Sequence, residues 1–350
     1  MMMKRILRVF FLVLFLISNP SMAQEEVTSD VIFEAQTFEL PEMQFDFVNV
    51  AWSPDGQMLA ITGDRDIWVY RYDGQKIELS IQLTGHTGVI TTLAWSPDSQ
   101  MLATGSWNGD QTVRIWDVTT GETLTVFEEH KDFPVIAVAW DPKGSRVASG
   151  GWDRMIHVWN PLTGDIEMTF DINLDLYSTL AASVVWRFDG EAIATGGSGS
   201  PVWIWNTTTG DLLTDLHPLY LDGGGSLEVI IWSPDGQLMA IQKRHTRIID
   251  PLTGNIVAEL GDPTREVIAL AWNPNGKWLA TNSLDETTRI WDTQTWETVT
   301  ILENGLVSRN LSEDVIYAQT LDWSPDGDKL ASVGEDGLLR IWDLQVIIDG

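Results

Sequence analysis

The chain has 350 residues, a formal net charge of −29 at pH 7 and no cysteine. The excess of carboxylates repels nucleic-acid phosphates and anionic lipid head groups, which excludes nucleic acid as an expected partner. The missing thiols exclude disulfides, so the fold has to be stabilised by burial and strand pairing.

The first residues have the pattern of a secretory signal peptide. Lys4, Arg5 and Arg8 precede a continuous apolar run over residues 9–17, and residues 21–23 form a small-x-small cleavage site. The sequence predicts that residues 1–23 are a signal peptide and that the mature chain is secreted or periplasmic, without stable membrane insertion. An uncleaved anchor is the alternative, although so short an apolar run does not easily span a bilayer.

The rest of the chain is expected to form a polar, flexible leader over residues 24–31 and a single domain over residues 32–350. Residues 32–40 are apolar enough to form a strand, and Pro41 ends it. Only residues 344–350 follow the last Trp342-Asp343 pair, too few for a turn and a full strand. Pairing the spare N-terminal strand with the last unit would close a ring.

A unit of four short strands recurs seven times between these ends. Its marker is a tryptophan at the end of the first strand, repeated at intervals of 40 to 51 residues: Trp52, Trp95, Trp140, Trp186, Trp232, Trp272 and Trp323. A turn follows, often Ser-Pro-Asp, and then a second strand with small residues, a third that commonly ends in tryptophan, and a fourth. Four-stranded sheets repeated at this period without helices indicate a β-propeller.

The unit endings resemble the WD-repeat family of β-propellers. The matching residues are Trp-Asp at 116–117, 291–292 and 342–343, Trp-Asn at 159–160 and 205–206, and Gly85-His86. The resemblance covers roughly residues 32–343. It implies an all-β, seven-bladed propeller of four-stranded antiparallel blades, closed by the N-terminal strand added to the last blade.

In that family a histidine, a strand serine or threonine, a turn aspartate and the tryptophan form a buried hydrogen-bonded set. Two copies carry all four residue types: His86, Thr104, Asp110 and Trp116 in one, and His130, Ser149, Asp153 and Trp159 in the other. Because a buried indole and imidazole need hydrogen-bond partners, the resemblance implies a structural role for these histidines rather than a catalytic one. Other copies depart from the pattern, with Tyr70 and Ile249 at the tryptophan position.

The resemblance also implies partner binding on the face formed by the loops leading into each blade and the turns between second and third strands. Trp107 and Trp152 precede turn aspartates in adjacent copies, where partner contact and local packing are the two explanations. Aromatic candidates on the leading loops are Phe133, Tyr177, Tyr220 and Tyr317. Candidates at or near the turns are Arg65, Arg244, Leu284 and Glu335. Neutral variation in loop length is the alternative for the long loops.

The sequence contains few signs of chemistry. It has no cysteine, no HExxH, no phosphate-binding glycine loop and no GxSxG, so we expect no catalytic residue, metal or cofactor. The predicted function is an exported, monomeric, non-enzymatic scaffold that binds a protein or peptide on one propeller face. The alternative is an extracytoplasmic propeller enzyme or small-ligand binder that uses the central funnel. The acidity has two explanations. One is a solvated surface, and the other is adaptation to a basic partner or to a cation-rich habitat.

Overall fold

The structure is a computed structural model that describes residues 33–40, 48–172, 183–197, 201–216, 229–242, 246–261, 267–303, 320–334 and 336–345. The expected signal peptide and leader lie outside these ranges. The described residues form twenty-eight strands in seven antiparallel sheets of four. No helix among them has both the length and the apolar character needed to cross a membrane.

The first four sheets, here called blades, each take four strands in chain order. Blade 1 contains β2 (Val50–Trp52), β3 (Met58–Gly63), β4 (Asp66–Tyr72) and β5 (Ile77–Leu83). Blade 2 contains β6 (Ile90–Trp95), β7 (Met101–Ser106), β8 (Val113–Asp117) and β9 (Thr123–Phe127). Blade 3 contains β10 (Val135–Trp140), β11 (Val147–Gly151), β12 (Met155–Trp159) and β13 (Ile166–Asp171). Blade 4 contains β14 (Ser183–Trp186), β15 (Ala192–Gly196), β16 (Trp203–Asn206) and β17 (Leu212–Asp215).

The remaining blades follow the same order, except that the last one borrows a strand from the start of the chain. Blade 5 contains β18 (Val229–Trp232), β19 (Met239–Gln242), β20 (Thr246–Ile249) and β21 (Ile256–Glu259). Blade 6 contains β22 (Val267–Trp272), β23 (Trp278–Ser283), β24 (Thr287–Asp292) and β25 (Thr298–Glu303). Blade 7 contains β26 (Leu321–Trp323), β27 (Lys329–Val333), β28 (Leu338–Asp343) and β1 (Ala35–Glu39).

The borrowed strand closes the ring. Strand β1 pairs antiparallel with β28, with Ala35 opposite Trp342 and Glu39 opposite Leu338. The backbone N–H of Leu40 extends the pairing by donating to the carbonyl of Gly337 at 3.0 Å. The predicted seven-bladed propeller and its closure by an N-terminal strand are therefore confirmed, with a strand shorter than the expected 32–40.

Serine-proline turns connect the first and second strands of several blades. In blade 1 the Ser53 hydroxyl donates to Asp55 at 2.5 Å and accepts the backbone N–H of Met58 at 2.9 Å. Gly56 closes the turn in the left-handed region at φ +71°, where a side chain is costly. These local hydrogen bonds set the register of the two strands before any contact between blades forms.

The hydrophobic core consists of seven clusters, one at each boundary between neighbouring blades. At the boundary of blades 1 and 2, the fully buried Ala60 lies in one cluster with Trp95 and Trp116 of the next blade. The cluster between blades 7 and 1 joins Ala331 and Ile341 to residues of β2 and β3. Small residues in the second strands let each sheet approach the bulky face of the next.

The indole N–H groups of Trp52 and Trp272 have no hydrogen-bond partner among the described residues. The other five first-strand tryptophans connect their blade to the one before it. Their indole N–H groups donate across the boundary to a backbone carbonyl at 3.1 to 3.3 Å: Trp95 to Ala51, Trp140 to Ala94, Trp186 to Ala139, Trp232 to Val185 and Trp323 to Ala271. The closing boundary differs, because there the Asp322 carboxylate accepts the backbone N–H of Trp52 at 2.8 Å. The tryptophans that mark the repeat in the sequence thus form hydrogen bonds between blades, which sequence reasoning did not foresee.

Candidate partner-binding site

The second strand of every blade ends on one side of the ring, here called the upper face. On this face Trp107 follows β7, and its backbone N–H donates to the carbonyl of Val89 at 2.8 Å, beside the start of the inner strand β6. Trp152 repeats the arrangement one blade on, donating to the carbonyl of Pro134 at 3.0 Å. The two tryptophans therefore hold equivalent positions in adjacent blades.

The rings of Trp107 and Trp152, here called the tryptophan pair, contact each other across the blade boundary. Their centroids are 5.4 Å apart and their planes are inclined by 54°. Both residues remain partly exposed, and the buried indole N–H of Trp152 has no hydrogen-bond partner within the described ranges. The two rings therefore pack against each other and also stay partly exposed, and partner contact at this position stays a prediction.

A glycine in the loop that leads into blade 2 makes this position of Trp107 possible. A Cβ on Gly88 would lie 1.7 Å from the carbonyl oxygen of Trp107, far inside van der Waals contact. The loop and the turn carrying the tryptophan therefore touch backbone to backbone. Only glycine allows so close an approach, which fixes the backbone that carries the Trp107 indole.

The other predicted upper-face residues are dispersed. Phe133 is 47% exposed in the loop leading into blade 3, and its N–H donates to the carbonyl of His130 at 3.2 Å. Arg65 is exposed beside Asp64, and Leu284 is half-buried in blade 6, outside the sector of the tryptophan pair. Five candidates lie outside the described residues: Tyr177, Tyr220, Tyr317, Arg244 and Glu335.

Sequence reasoning missed Asp64, which holds the position of Trp107 in blade 1. Residues 59–64 align with residues 102–107, so the register alone could have identified it. Its backbone carbonyl accepts the N–H of Ile90 at 2.6 Å, which places it next to the first strand of blade 2.

The four-residue set of blade 2 is a continuous hydrogen-bond chain. His86 Nδ1 lies 2.5 Å from Asp110 Oδ2, and His86 Nε2 lies 2.8 Å from Thr104 Oγ1. The indole N–H of Trp116 donates to the same threonine oxygen at 2.8 Å. Blade 3 repeats the chain with His130, Asp153, Ser149 and Trp159 at 2.8 to 3.1 Å. An ionised carboxylate can only accept, so the neutral histidine donates through Nδ1 to the aspartate and accepts the hydroxyl hydrogen through Nε2.

Burial and hydrogen bonding set the protonation of these groups. Burial lowers the pKa of His86 although Asp110 beside it acts in the opposite direction. Burial alone would raise the pKa of Asp110, but hydrogen bonds from His86, Thr112 and the Thr87 N–H hold it well below the usual value. The imidazoles of His86 and His130 are fully enclosed, so neither can reach a substrate.

Blade 3 has a second buried histidine. His157 Nδ1 lies 3.0 Å from Thr169 Oγ1, and its Nε2 has no partner among the described residues. Burial, and next the neighbouring His130, lower the pKa of His157 to about 4. Ligand-type atoms of His130, Asp153 and His157 lie within 4.8 Å of one another. Both ring nitrogens of His130 already take part in hydrogen bonds, so a metal would have to break the structural set.

In blades 6 and 7, where the set has no histidine, a third-strand arginine binds the turn aspartate. The Arg289 guanidinium donates to Asp285 at 3.1 Å, and Arg340 likewise binds Asp336. The bond from tryptophan to the strand hydroxyl is retained at 3.0 to 3.1 Å: Trp205 to Thr195, Trp291 to Thr281 and Trp342 to Ser332. Blade 2 has an arginine at the same spacing, with Arg114 Nε 3.9 Å from Asp110 Oδ2, and also keeps His86, so the spacing alone does not identify the blades without histidine.

A cavity of about 560 Å³ opens on the opposite face, here called the lower face, between turns of blades 1 and 2. Its lining includes Arg71, Asp73, Lys76 and Glu78 from blade 1, and Gln100 from blade 2. Lys76 and Glu78 pair with each other at 2.5 Å. The cavity lies away from the tryptophan pair and is separate from the upper-face candidates.

Parts of the chain match family models of WD-repeat proteins. "Anaphase-promoting complex subunit 4 WD40 domain" matches residues 50–141, and "WD domain, G-beta repeat" matches residues 254–292 and 313–343. A chain in the crystal structure of the mitotic checkpoint complex is similar with a TM-score of 0.72 and 20% identity, covering 94% of this chain and 99% of that one. At this identity the likeness shows the shared fold.

Curated relatives match stretches of different length. Periodic tryptophan protein 2 of Arabidopsis thaliana is 29% identical over 315 residues, which are 86% of this chain and 29% of the relative. Protein HIR1 of Cryptococcus neoformans is 27% identical over 223 residues, 63% of this chain and 22% of the relative. A chromatin assembly factor 1 subunit of Mus musculus is 43% identical over 51 residues, 15% of this chain and 9% of the relative. The chain thus spans less than a third of the length of these relatives.

The predicted secreted or periplasmic location is wrong. The relatives, which include periodic tryptophan protein 2, HIR1, the chromatin assembly factor and coronin-7, are intracellular proteins of the nucleus or cytoplasm. The prediction depended on residues 1–23 alone, and basic residues before a short apolar run can occur without acting as an export signal.

Three features agree on the family. Seven four-stranded blades form a ring closed by β1, the blades end in Trp-Asp or Trp-Asn at registered positions, and WD-repeat models match both halves of the chain. The chain belongs to the WD-repeat family of seven-bladed β-propellers.

Proposed function

We propose that this propeller is a non-enzymatic scaffold that docks a protein or peptide on the upper face, around the tryptophan pair. The observation that carries the proposal is the contact of two partly exposed tryptophans at equivalent positions in adjacent blades. Tryptophan is enriched among the residues that dominate binding energy at protein interfaces. The names of relatives such as the chromatin assembly factor also favour a role in protein assemblies.

The burial of the polar groups favours a scaffold over an enzyme. Those that resemble catalytic pairs, His86 with Asp110 and His130 with Asp153, are enclosed and bonded to the strand hydroxyls. WD-repeat relatives are mostly non-enzymatic scaffolds, which supports the same proposal. We further propose that the chain is a monomer that does not bind nucleic acid, and sedimentation with and without DNA tests both points.

Site-specific crosslinking tests the docking face. A benzophenone amino acid replaces Phe133 on the upper face or, as the matched control, Phe188 on the lower face, where the side chain is 56% exposed. In extracts of cells that express the chain, we expect a protein adduct from position 133 that is absent from position 188. A Trp107→Ala/Trp152→Ala background should abolish this adduct while the circular dichroism spectrum stays unchanged. Identical adducts from both positions, or an adduct that persists in the double variant, would contradict the proposal.

A further inference from the structure

Resting on the proposed function, we infer that the partner presents a basic side chain, arginine or lysine, to the upper face. This cation lies against the tryptophan pair and faces the carboxylate of Asp64. The occupant is thus a basic peptide segment rather than an apolar or proline-rich one. The juxtaposition that supports the inference is an aromatic pair bordered by an excess of carboxylates.

Asp64 lies directly beside Trp107 at the blade boundary. The carbonyl of Asp64 accepts the N–H of Ile90, and the N–H of Trp107 donates to the carbonyl of Val89. Asp64 of blade 1 and Trp107 of blade 2 therefore form hydrogen bonds to two consecutive residues, Ile90 and Val89. A ligand that covers the Trp107 ring reaches the surroundings of Asp64 without crossing another blade.

The Asp64 carboxylate is not strongly bound by the protein. Its side chain is 40% exposed, and the nearest cation, Arg65 Nε, lies 3.9 Å away on a side chain that is itself 58% exposed. That distance is too long for a hydrogen bond, and such surface pairs contribute little. Asp64 can therefore accept a hydrogen bond from an incoming guanidinium or ammonium group.

The loops and turns around the tryptophan pair add to the negative charge. They carry six carboxylates against three basic side chains: Asp64, Asp110, Glu128, Glu129, Asp132 and Asp153 against Arg65, Lys131 and Arg154. The adjoining strands add one charge of each sign, Asp66 on β4 and Arg114 on β8, with Arg114 3.9 Å from Asp110. The donors around Asp110 keep it ionised, since its pKa lies below the usual value. This field attracts a basic segment and repels an acidic one.

The aromatic surface itself favours a cation. Tryptophan is the best ring for a cation–π contact, which requires the charge within about 6 Å of the ring centroid. The two planes are inclined rather than stacked, so part of each ring faces solvent. An apolar segment would contact the rings but would gain nothing from the carboxylates, and it would desolvate them.

Fluorine NMR with defined peptides tests the inference. The eighteen tryptophans are labelled with 5-fluorotryptophan, and Trp107→Phe and Trp152→Phe assign the two resonances of interest. The probes are three nine-residue Gly/Ser peptides carrying three arginines, three citrullines or three prolines. We expect the arginine peptide to shift both assigned resonances, and the neutral, isosteric citrulline peptide to bind at least about tenfold more weakly.

Two charge variants separate recognition from general attraction. Asp64→Asn should weaken the binding of the arginine peptide about threefold. Glu122→Gln removes the same charge from an exposed lower-face turn of blade 2 and should leave binding unchanged. Equal binding of arginine and citrulline peptides, or equal effects of the two variants, would overturn the inference.

The remaining outcomes distinguish this inference from the proposed function. If the proline peptide shifts the assigned resonances and the arginine peptide does not, docking on the upper face stands and the basic partner is wrong. If no peptide shifts them while position 133 still gives its adduct, the basic-partner inference again fails by itself. If position 133 gives no adduct and no peptide shifts the resonances, both the proposed function and the basic-partner inference are wrong.

Discussion

At the scale of single residues, the polar core of this propeller depends on complete hydrogen bonding. In blade 2 the hydroxyl of Thr104 serves two buried groups at once, His86 Nε2 and the indole of Trp116. A buried polar group that loses its partner costs more free energy than the bond contributed, because nothing replaces the lost water. The hydroxyl is therefore the central member of the set.

Replacing Thr104 with valine tests this view, because valine keeps the shape and removes the hydroxyl. Two buried groups are left unsatisfied, so we expect the free energy of unfolding to fall by about 3 kcal/mol. Thr125→Val in the same blade is the matched control, since the buried hydroxyl of Thr125 has no partner among the described residues. Urea unfolding measures both variants. Equal losses would mean that packing around Thr104, and not its hydrogen bonds, stabilises the blade.

At the scale of elements, the ring depends on the single strand β1, which follows the N-terminal segment and is not part of a hairpin. Its five residues pair with β28, and Phe38 and Leu40 pack against the cluster between blades 7 and 1. Without it, blade 7 would have three strands and an exposed edge at β28. Closure therefore depends on residues far from the last blade in sequence.

Two truncations separate this strand from what precedes it. A chain beginning at residue 33 keeps β1 and should melt at the temperature of the full chain. A chain beginning at residue 43 loses β1, and we expect its Tm to fall by at least about 5 °C. Differential scanning calorimetry compares the two. If the shorter chain melts like the longer one, β1 contributes pairing without stabilising the ring.

How much the sequence could predict also differs among the elements. The N-terminal strand is expected over residues 32–40 and occurs at Ala35–Glu39, because its apolar residues and the proline that follows are local signals. The contact between Trp107 and Trp152 depends on how closely two blades approach, which a one-dimensional period does not contain. The period also does not contain the hydrogen bond between Trp52 and Asp322, two residues that are 270 positions apart in the chain.

At the scale of the whole molecule, the ring is closed at a boundary whose hydrogen bond involves a carboxylate. Five described boundaries have the indole-to-carbonyl bond, whereas Asp322 accepts the backbone N–H of Trp52 where the two ends of the ring meet. Burial raises the pKa of Asp322 to about 7, although N–H groups of Trp52 and Trp323 act against it. An ionisable group of this kind makes closure sensitive to pH.

The sign of this dependence follows from the two states of Asp322. Its pKa in the folded ring, about 7, lies above the ordinary 3.8 of the unfolded chain, so folding is favoured when the carboxyl is protonated. The stabilisation is complete below pH 3.8 and is lost as the pH rises towards and through 7. Between pH 5 and pH 8 we expect Asp322 to account for a loss of about 2 kcal/mol, less than the full shift implies because the residue is partly exposed.

Asp322→Asn isolates this effect from the repulsion among the other carboxylates, which also grows with pH. The amide oxygen can still accept the Trp52 N–H without a charge, so the stability advantage of the variant over the wild type should be larger at pH 8 than at pH 5. Urea unfolding at both pH values gives the comparison. A variant with the same slope against pH as the wild type would show that the surface charge, and not the closing boundary, causes the dependence. A shallower slope would identify the place where the ends of the chain meet as the pH-sensitive boundary of the ring.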